Sequence, residues 1–221
     1  MPTYVMRLWM PDRPGVLGAV ASRIGAVRGD VVGIDILERG AGRVIDELVV
    51  DLPEDALLAL LVREVGQVDG VDVEDVRLAP DRLRDPRLDA LAAAASLVSA
   101  MSADDLVDEL VARAGRDFEA DWVVLLDPDG PAVAAASGGH PPVAWLAAFA
   151  GGAALMKVGA GPDDVSWAAM PVAGLSLLLG RQGRPFRARE RHQVAALADI
   201  ADARWAELAW REARMSHPSS A

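Results

Sequence analysis

Residues 4–24 read YVMRLWMPDRPGVLGAVASRI, and two periods meet within them. Tyr4 to Met10 is rich in β-forming residues and stops at Pro11, which reads as a strand. From Val16 onward, Val16, Leu17, Val20, Ala21 and Ile24 recur at helical spacing, which predicts a helix over 16–27. Asp12-Arg13-Pro14-Gly15 stands between the two. Asp12 has the chemistry to cap the turn, Pro14 presets φ, and Gly15 lets the backbone approach a neighbour closely. The amides of Gly15, Val16 and Leu17 then lie at a helix N-terminus, where partial positive charge favours an anion. A free α-amino acid suits such a turn, offering its carboxylate to the amides and its ammonium to Asp12. A phosphate suits it less, because Asp12 would repel a second negative group.

The neighbouring residues complete a pattern. Val31 to Glu38 is apolar and β-branched, and Gly40-Ala41-Gly42 supplies a tight reversal. On the return strand Val44, Asp46, Leu48, Val50 and Leu52 alternate with Ile45, Glu47, Val49 and Asp51. Pro53 ends that strand and opens a second helix with Leu57, Leu60, Leu61 and Val65 on one face. Val71 to Leu78 is a last strand. The order β-α-β-β-α-β predicts a ferredoxin-like domain over 1–80.

With its Asp12-Arg13-Pro14-Gly15-Val16-Leu17 turn and this element order, the segment resembles an ACT domain, a small regulatory module that in many relatives binds amino acids. The resemblance implies a ligand site where the first loop of one copy meets the second strand of a neighbour. In this chain that site would comprise Asp12, Arg13, Pro14, Gly15, Val16 and Leu17, with Gly33, Ile34 and Asp35 from a partner chain. One such domain per chain implies a homodimer.

The stretch 79–86, with two prolines and a run of charge, reads as an exposed connector whose linker is 81–86. Beyond it, Leu88 to Met101 is an alanine- and leucine-rich helix. Ser102 reads as the N-cap of a second helix ending at Gly115. Trp122 to Leu126 is a strand closed by the turn Asp127-Pro128-Asp129-Gly130, and Pro131 to Ala136 pairs back on it. Val143 to Met156 reads as buried helix or strand, Val165 to Ala169 and Gly174 to Gly180 as later strands, and Arg189 to Arg211 as one long helix. This series over 87–213 resembles a GAF domain, which implies an α/β sensory module with an antiparallel sheet, flanking helices and pairing through the terminal helices. Residues 214–221 are expected to form a disordered tail.

Two further clusters have two readings each. Trp145, Phe149, Met156, Trp167 and Met170 either fill a core or line a pocket for a small hydrophobic ligand. Arg181, Arg184, Arg187, Arg189 and Arg191 either form a solvated face or dock phosphate or an acidic partner.

Composition narrows the functions. The 221 residues carry a formal charge of −11, which disfavours nucleic acid and anionic membranes. There is no cysteine, so thiolate catalysis, disulfides and Cys-ligated metals are excluded. Of the three histidines, only His140 is placed in a loop where a haem ligand could sit, and no two lie at metal-ligand spacing. No metal and no cofactor are expected. The longest uncharged apolar run has 14 residues, short of the about 20 a membrane helix needs. The N-terminus lacks the pattern of a signal peptide, and a cytoplasmic protein is expected. No G-x-S-x-G elbow or phosphate-binding Gly-Lys-Ser/Thr loop occurs, and no catalytic residues are expected.

Two functions remain. One is a regulatory protein that senses an amino acid or other small effector at a dimer interface and signals through an unidentified protein partner. The other is a dimeric adaptor that needs no ligand.

Overall fold

The computed structural model describes residues 1–79, 86–127, 129–130, 132–153 and 162–216. It divides into two compact units, Met1–Arg84 and Asp85–Ala221. The chain is α+β, with one antiparallel four-stranded sheet in each unit.

The first unit runs β1 (Thr3–Pro11), α1 (Val16–Ala26), β2 (Asp30–Gly40), β3 (Arg43–Asp51), a 3-10 turn (Asp55–Leu57), α2 (Leu58–Val65) and β4 (Asp72–Leu78). The strand order is β2-β3-β1-β4, so the ferredoxin-like order read from the sequence is the observed one. Pairing partners across antiparallel strands share a face. Tyr4, Met6, Leu8 and Met10 of β1 lie opposite Val50, Leu48, Asp46 and Val44 of β3, and this face packs against the helices. Val16, Val20 and Ile24, spaced four apart, are the buried stripe of α1. Ala41 and Gly42 both take positive φ, 50° and 74°, as a two-residue hairpin with the twist of its flanking strands requires.

The opposite face of this sheet carries a charged cluster around a buried arginine. Arg7 is 1% exposed and donates through Nε and Nη2 to Glu47 Oε1 at 3.0 and 2.8 Å. Arg77 reaches the same oxygen at 3.1 Å and Asp75 at 3.1 Å. Burial pushes the Glu47 carboxyl up, but the two guanidiniums outweigh it and hold the group below its ordinary range.

The second unit contains α3 (Pro86–Ser99), α4 (Ala103–Asp117), β5 (Trp122–Asp127), β6 (Ala132–Gly138), α5 (Val143–Ala153), β7 (Val165–Met170), β8 (Leu175–Gly180) and α6 (Ala188–Ser216). The sheet order is β6-β5-β8-β7. Helices α3, α4 and α6 cover one face over Val123, Leu125, Leu177 and Leu179, and α5 covers the other over Val124, Leu126 and Leu178. Ser102 caps α4 as expected, accepting from the Asp105 N–H at 3.1 Å. Asp127 accepts from the Asp129 and Gly130 N–H groups in the expected turn.

Several boundaries move. Helix α4 continues through Gly115 to Asp117, because one glycine weakens a helix without stopping it. Helix α3 already begins at Pro86, a residue assigned to the linker, since proline is tolerated in a first turn. Helix α6 continues to Ser216, so residues 214–216 are helical and not part of a disordered tail. The remaining tail, 217–221, and linker residues 81–85 lie outside the described residues.

Candidate functional site

The turn that follows β1 is fastened by backbone. The Asp12 N–H donates to Gly42 O at 2.9 Å, joining the loop to the β2–β3 hairpin, and the Arg13 N–H donates to Pro11 O at 2.9 Å. Gly15 sits at the N-cap of α1 with φ 92° and ψ −18°, a left-handed conformation that a side chain would strain. The first backbone bond of the helix runs from the Ala19 N–H to Gly15 O at 2.9 Å. The amides of Val16, Leu17 and Gly18 precede it, and no side chain caps them and no acid stands in the first turn. Asp12 is therefore not the helix cap: its carboxylate points to Arg39 of β2, 3.4 Å away. Arg13 pairs with Asp69 at 3.2 Å in the open solvent.

The strand-borne candidates separate. Ile34 lies opposite Leu48 and so faces the helices, at the edge of the sheet, 48% exposed. Val32 and Ile36 are likewise exposed on this edge strand, at 42% and 44%. Gly33 and Asp35 lie opposite Val49 and Glu47, so they face the other side of the sheet. Within one chain, then, Ile34 shares the helix-facing side of the sheet with the core beneath α1, while Gly33 and Asp35 do not.

One residue of this region escaped the sequence reading. Asp46 lies opposite Leu8 on one side and Ile36 on the other, among apolar neighbours, and is only 4% exposed. Its Oδ1 has no hydrogen-bond partner. Burial pushes its carboxyl up, the charge of Arg39 opposes that, and the charge of Asp12 adds to it. The signal was an acid at an inward position of the alternating run from Val44 to Leu52.

In the second unit Arg181, Arg184 and Arg191 of the arginine cluster form neither a solvated face nor an open anion site. Arg181 is 3% exposed and donates to the carbonyls of Phe118, Arg184 and Pro185 and to Glu190 Oε1. Arg191 donates to the carbonyls of Phe186, Val165, Pro162 and Asp163. Arg184 pairs with Glu119. The planar guanidinium forks serve as rigid multi-donor ties between loops.

The aromatic cluster also divides. Trp145 stacks on Phe149 at 5.4 Å, and Phe149 and Trp167 pack with the α5 side of the sheet. Met170 is fully buried in the core on the other side. Met156 lies outside the described residues. His140 Nδ1 lies 2.8 Å from Pro141 O. Among the described residues no three His, Cys, Asp or Glu side chains are grouped to hold a metal ion, and no helix is long and apolar enough to cross a membrane.

No protein-family model matches the sequence, and no curated protein matches it. Among solved structures, the ACT domain of GTP pyrophosphokinase from Chlorobium tepidum is similar over 36% of this chain and 100% of its own, at 16% identity and a TM-score of 0.29. The C-terminal domain of the MgtC protein from Mycobacterium tuberculosis is similar over 38% of this chain and 94% of its own, at 17% identity and a TM-score of 0.30. An unknown protein from Galdieria sulphuraria is similar over 91% of this chain and 92% of its own, at 13% identity and a TM-score of 0.33. At these scores the likenesses bear on no residue of the site.

Proposed function

We propose that the chain is a non-catalytic regulatory protein whose ACT-like N-terminal domain binds an α-amino acid at the Asp12–Leu17 turn. The observation that carries this reading is the first turn of α1: a left-handed Gly15 followed by amides that no side chain caps. Such a terminus favours a carboxylate. The carboxyl groups of Asp12 and Asp46, both on this side of the sheet or at its end, favour the opposite charge, and an α-amino acid carries both.

The second half of the site comes from a second copy. Strand β2 is an edge strand, and its exposed Val32, Ile34 and Ile36 offer apolar area and open backbone to another chain. In the C-terminal unit, which we read as GAF-like, Leu91, Val98 and Met101 are exposed at 69%, 54% and 78% on and just after α3, a face suited to pairing with a second copy. Ligand bound across the paired N-terminal domains would bias one arrangement by its difference in affinity, and a protein partner would read that arrangement. On this reading the protein works in the cytoplasm.

A ligand-independent dimeric adaptor is the second reading, favoured by the ion pair that already joins Asp12 to Arg39. A thermal-shift screen against the common L-amino acids, at fixed protein concentration and beside Asp12→Ala, separates the two. A ligand at about 100 times its dissociation constant adds roughly 2.7 kcal/mol of stability. The sensor predicts a selective shift, reduced in Asp12→Ala without loss of the dimer. A flat panel supports the adaptor.

A further inference from the structure

We infer that Asp46 is the ammonium-binding residue of this site, its carboxylate on the helix-facing side of β3 receiving the α-ammonium of an amino acid whose carboxylate lies on the first-turn amides of α1. The inference rests on the amino-acid reading above and adds to it a residue, a bond and a reason for selectivity.

Asp46 is an anomaly for a protein of this design. Every other member of its alternating row, Val44, Leu48, Val50 and Leu52, is a buried apolar side chain of the first core. Asp46 occupies an equivalent position at 4% exposure, and Oδ1 has no donor. A carboxylate withdrawn from water is heavily penalised unless a cation or hydrogen-bond donors join it. The adjacent cation, Arg39, does not join it: that guanidinium is 3.4 Å from Asp12 and leaves Asp46 Oδ1 without a hydrogen bond. The other acid of the region, Asp12, is exposed and already paired, which makes it the weaker anchor for an incoming cation.

The surroundings fix what kind of cation fits. Leu8 and Ile36 flank Asp46 in the sheet, and Ile34 follows on the same face of the edge strand. A strongly hydrated metal ion would find the Asp46 carboxylate beside an apolar wall and the charge of Arg39, with Asp12 already paired to that arginine. A primary ammonium attached to an apolar or small side chain would find one charged acceptor and a surface for its carbon atoms. The uncapped α1 amides supply the complementary pole, and an α-amino acid carries both charges on one carbon.

The test uses the full chain and two kinds of probe, free L-amino acids and their N-acetyl derivatives, in which the ammonium is replaced by an amide. Binding is read by calorimetry and thermal shift for the wild type, Asp46→Asn and Asp12→Ala. Wild type should respond to at least one free amino acid and not to its N-acetyl form. Asp46→Asn keeps the shape of the side chain, and circular dichroism should show it folded. Its affinity should fall roughly tenfold to a hundredfold, the loss expected for one hydrogen bond to a charged group, and further than in Asp12→Ala. If Asp46→Asn binds as tightly as wild type, or if wild type binds the N-acetyl form equally well, the assignment of Asp46 is overturned while amino-acid binding stands. If no free amino acid shifts the wild type, the amino-acid reading itself fails and Asp46 loses its role with it.

Discussion

The Asp12–Leu17 turn and the Arg181–Arg191 segment look alike as sequence, each a short stretch of charge and glycine beside a helix start, and the structure uses them in opposite ways. In the second, the helix N-terminus is closed from within: Glu190 reaches back to accept the Arg187 N–H at 2.8 Å and also accepts from Arg181. That is half of a capping box, built on a buried ion pair. Arg181 and Arg191 donate to carbonyls of their own loop and of distant segments, at Phe118, Pro162 and Val165. In the first, α1 has no cap, and a buried carboxyl close to the turn has an oxygen without a donor. A cluster of polar residues marks a binding site when the fold leaves its bonding capacity open. Where the fold uses that capacity itself, the cluster is scaffold.

The largest expected effect breaks the scaffold side of this contrast. Arg181→Met would remove the donor shared by Glu190 and three carbonyls, leaving a buried charge and unsatisfied oxygens. Urea unfolding should show a loss of about 3–5 kcal/mol in the second unit. The amino-acid binding that we propose for the first unit should survive in that variant, provided the experiment is run below its unfolding transition.

A smaller effect sharpens the contrast within one strand. Asp46 and Glu47 are neighbours on β3 and face opposite sides of the sheet. Glu47 is held below its ordinary range by Arg7 and Arg77, so its contribution to stability is present above the unfolded value of 4.5 and is lost as pH falls through the folded one. Asp46 is raised by burial, so its contribution is present below the unfolded value of 3.8 and is lost as pH rises through the folded one. Glu47→Gln should therefore cost about 1–3 kcal/mol at neutral pH, and the difference from wild type should shrink on acidification. Asp46→Asn should do the reverse: stability equal to wild type in acid and higher at neutral pH. Urea midpoints across the pH range check both signs. A neutral-pH loss in Asp46→Asn would mean that its carboxylate is already satisfied in the free protein.

Much of this organisation was legible in the sequence. The element order of the first unit follows from local periods: alternation in β1 and β3, four-residue spacing in α1, and turn residues at Ala41-Gly42. Asp127 and Ser102 announced a turn and a cap because those bonds close within three residues. What was not legible depends on distant pairing. The partners of Arg181 and Arg191 are carbonyls at Phe118, Pro162 and Val165, which nothing local specifies. The separation of Trp167 from Met170 was available in principle, since residues three apart on a strand point to opposite faces. Asp46 was visible as an acid in an apolar row, but its isolation appears only once Arg39 is seen turned to Asp12.

The most direct test of the account is hydrogen exchange at the first turn of α1, measured with and without the amino acid that gives the largest thermal shift. Exchange should slow at Val16, Leu17 and Gly18, the amides that no side chain caps, and along the edge strand around Ile34. Protection confined to the second unit, or none at these three amides while ligand is demonstrably bound, would contradict it.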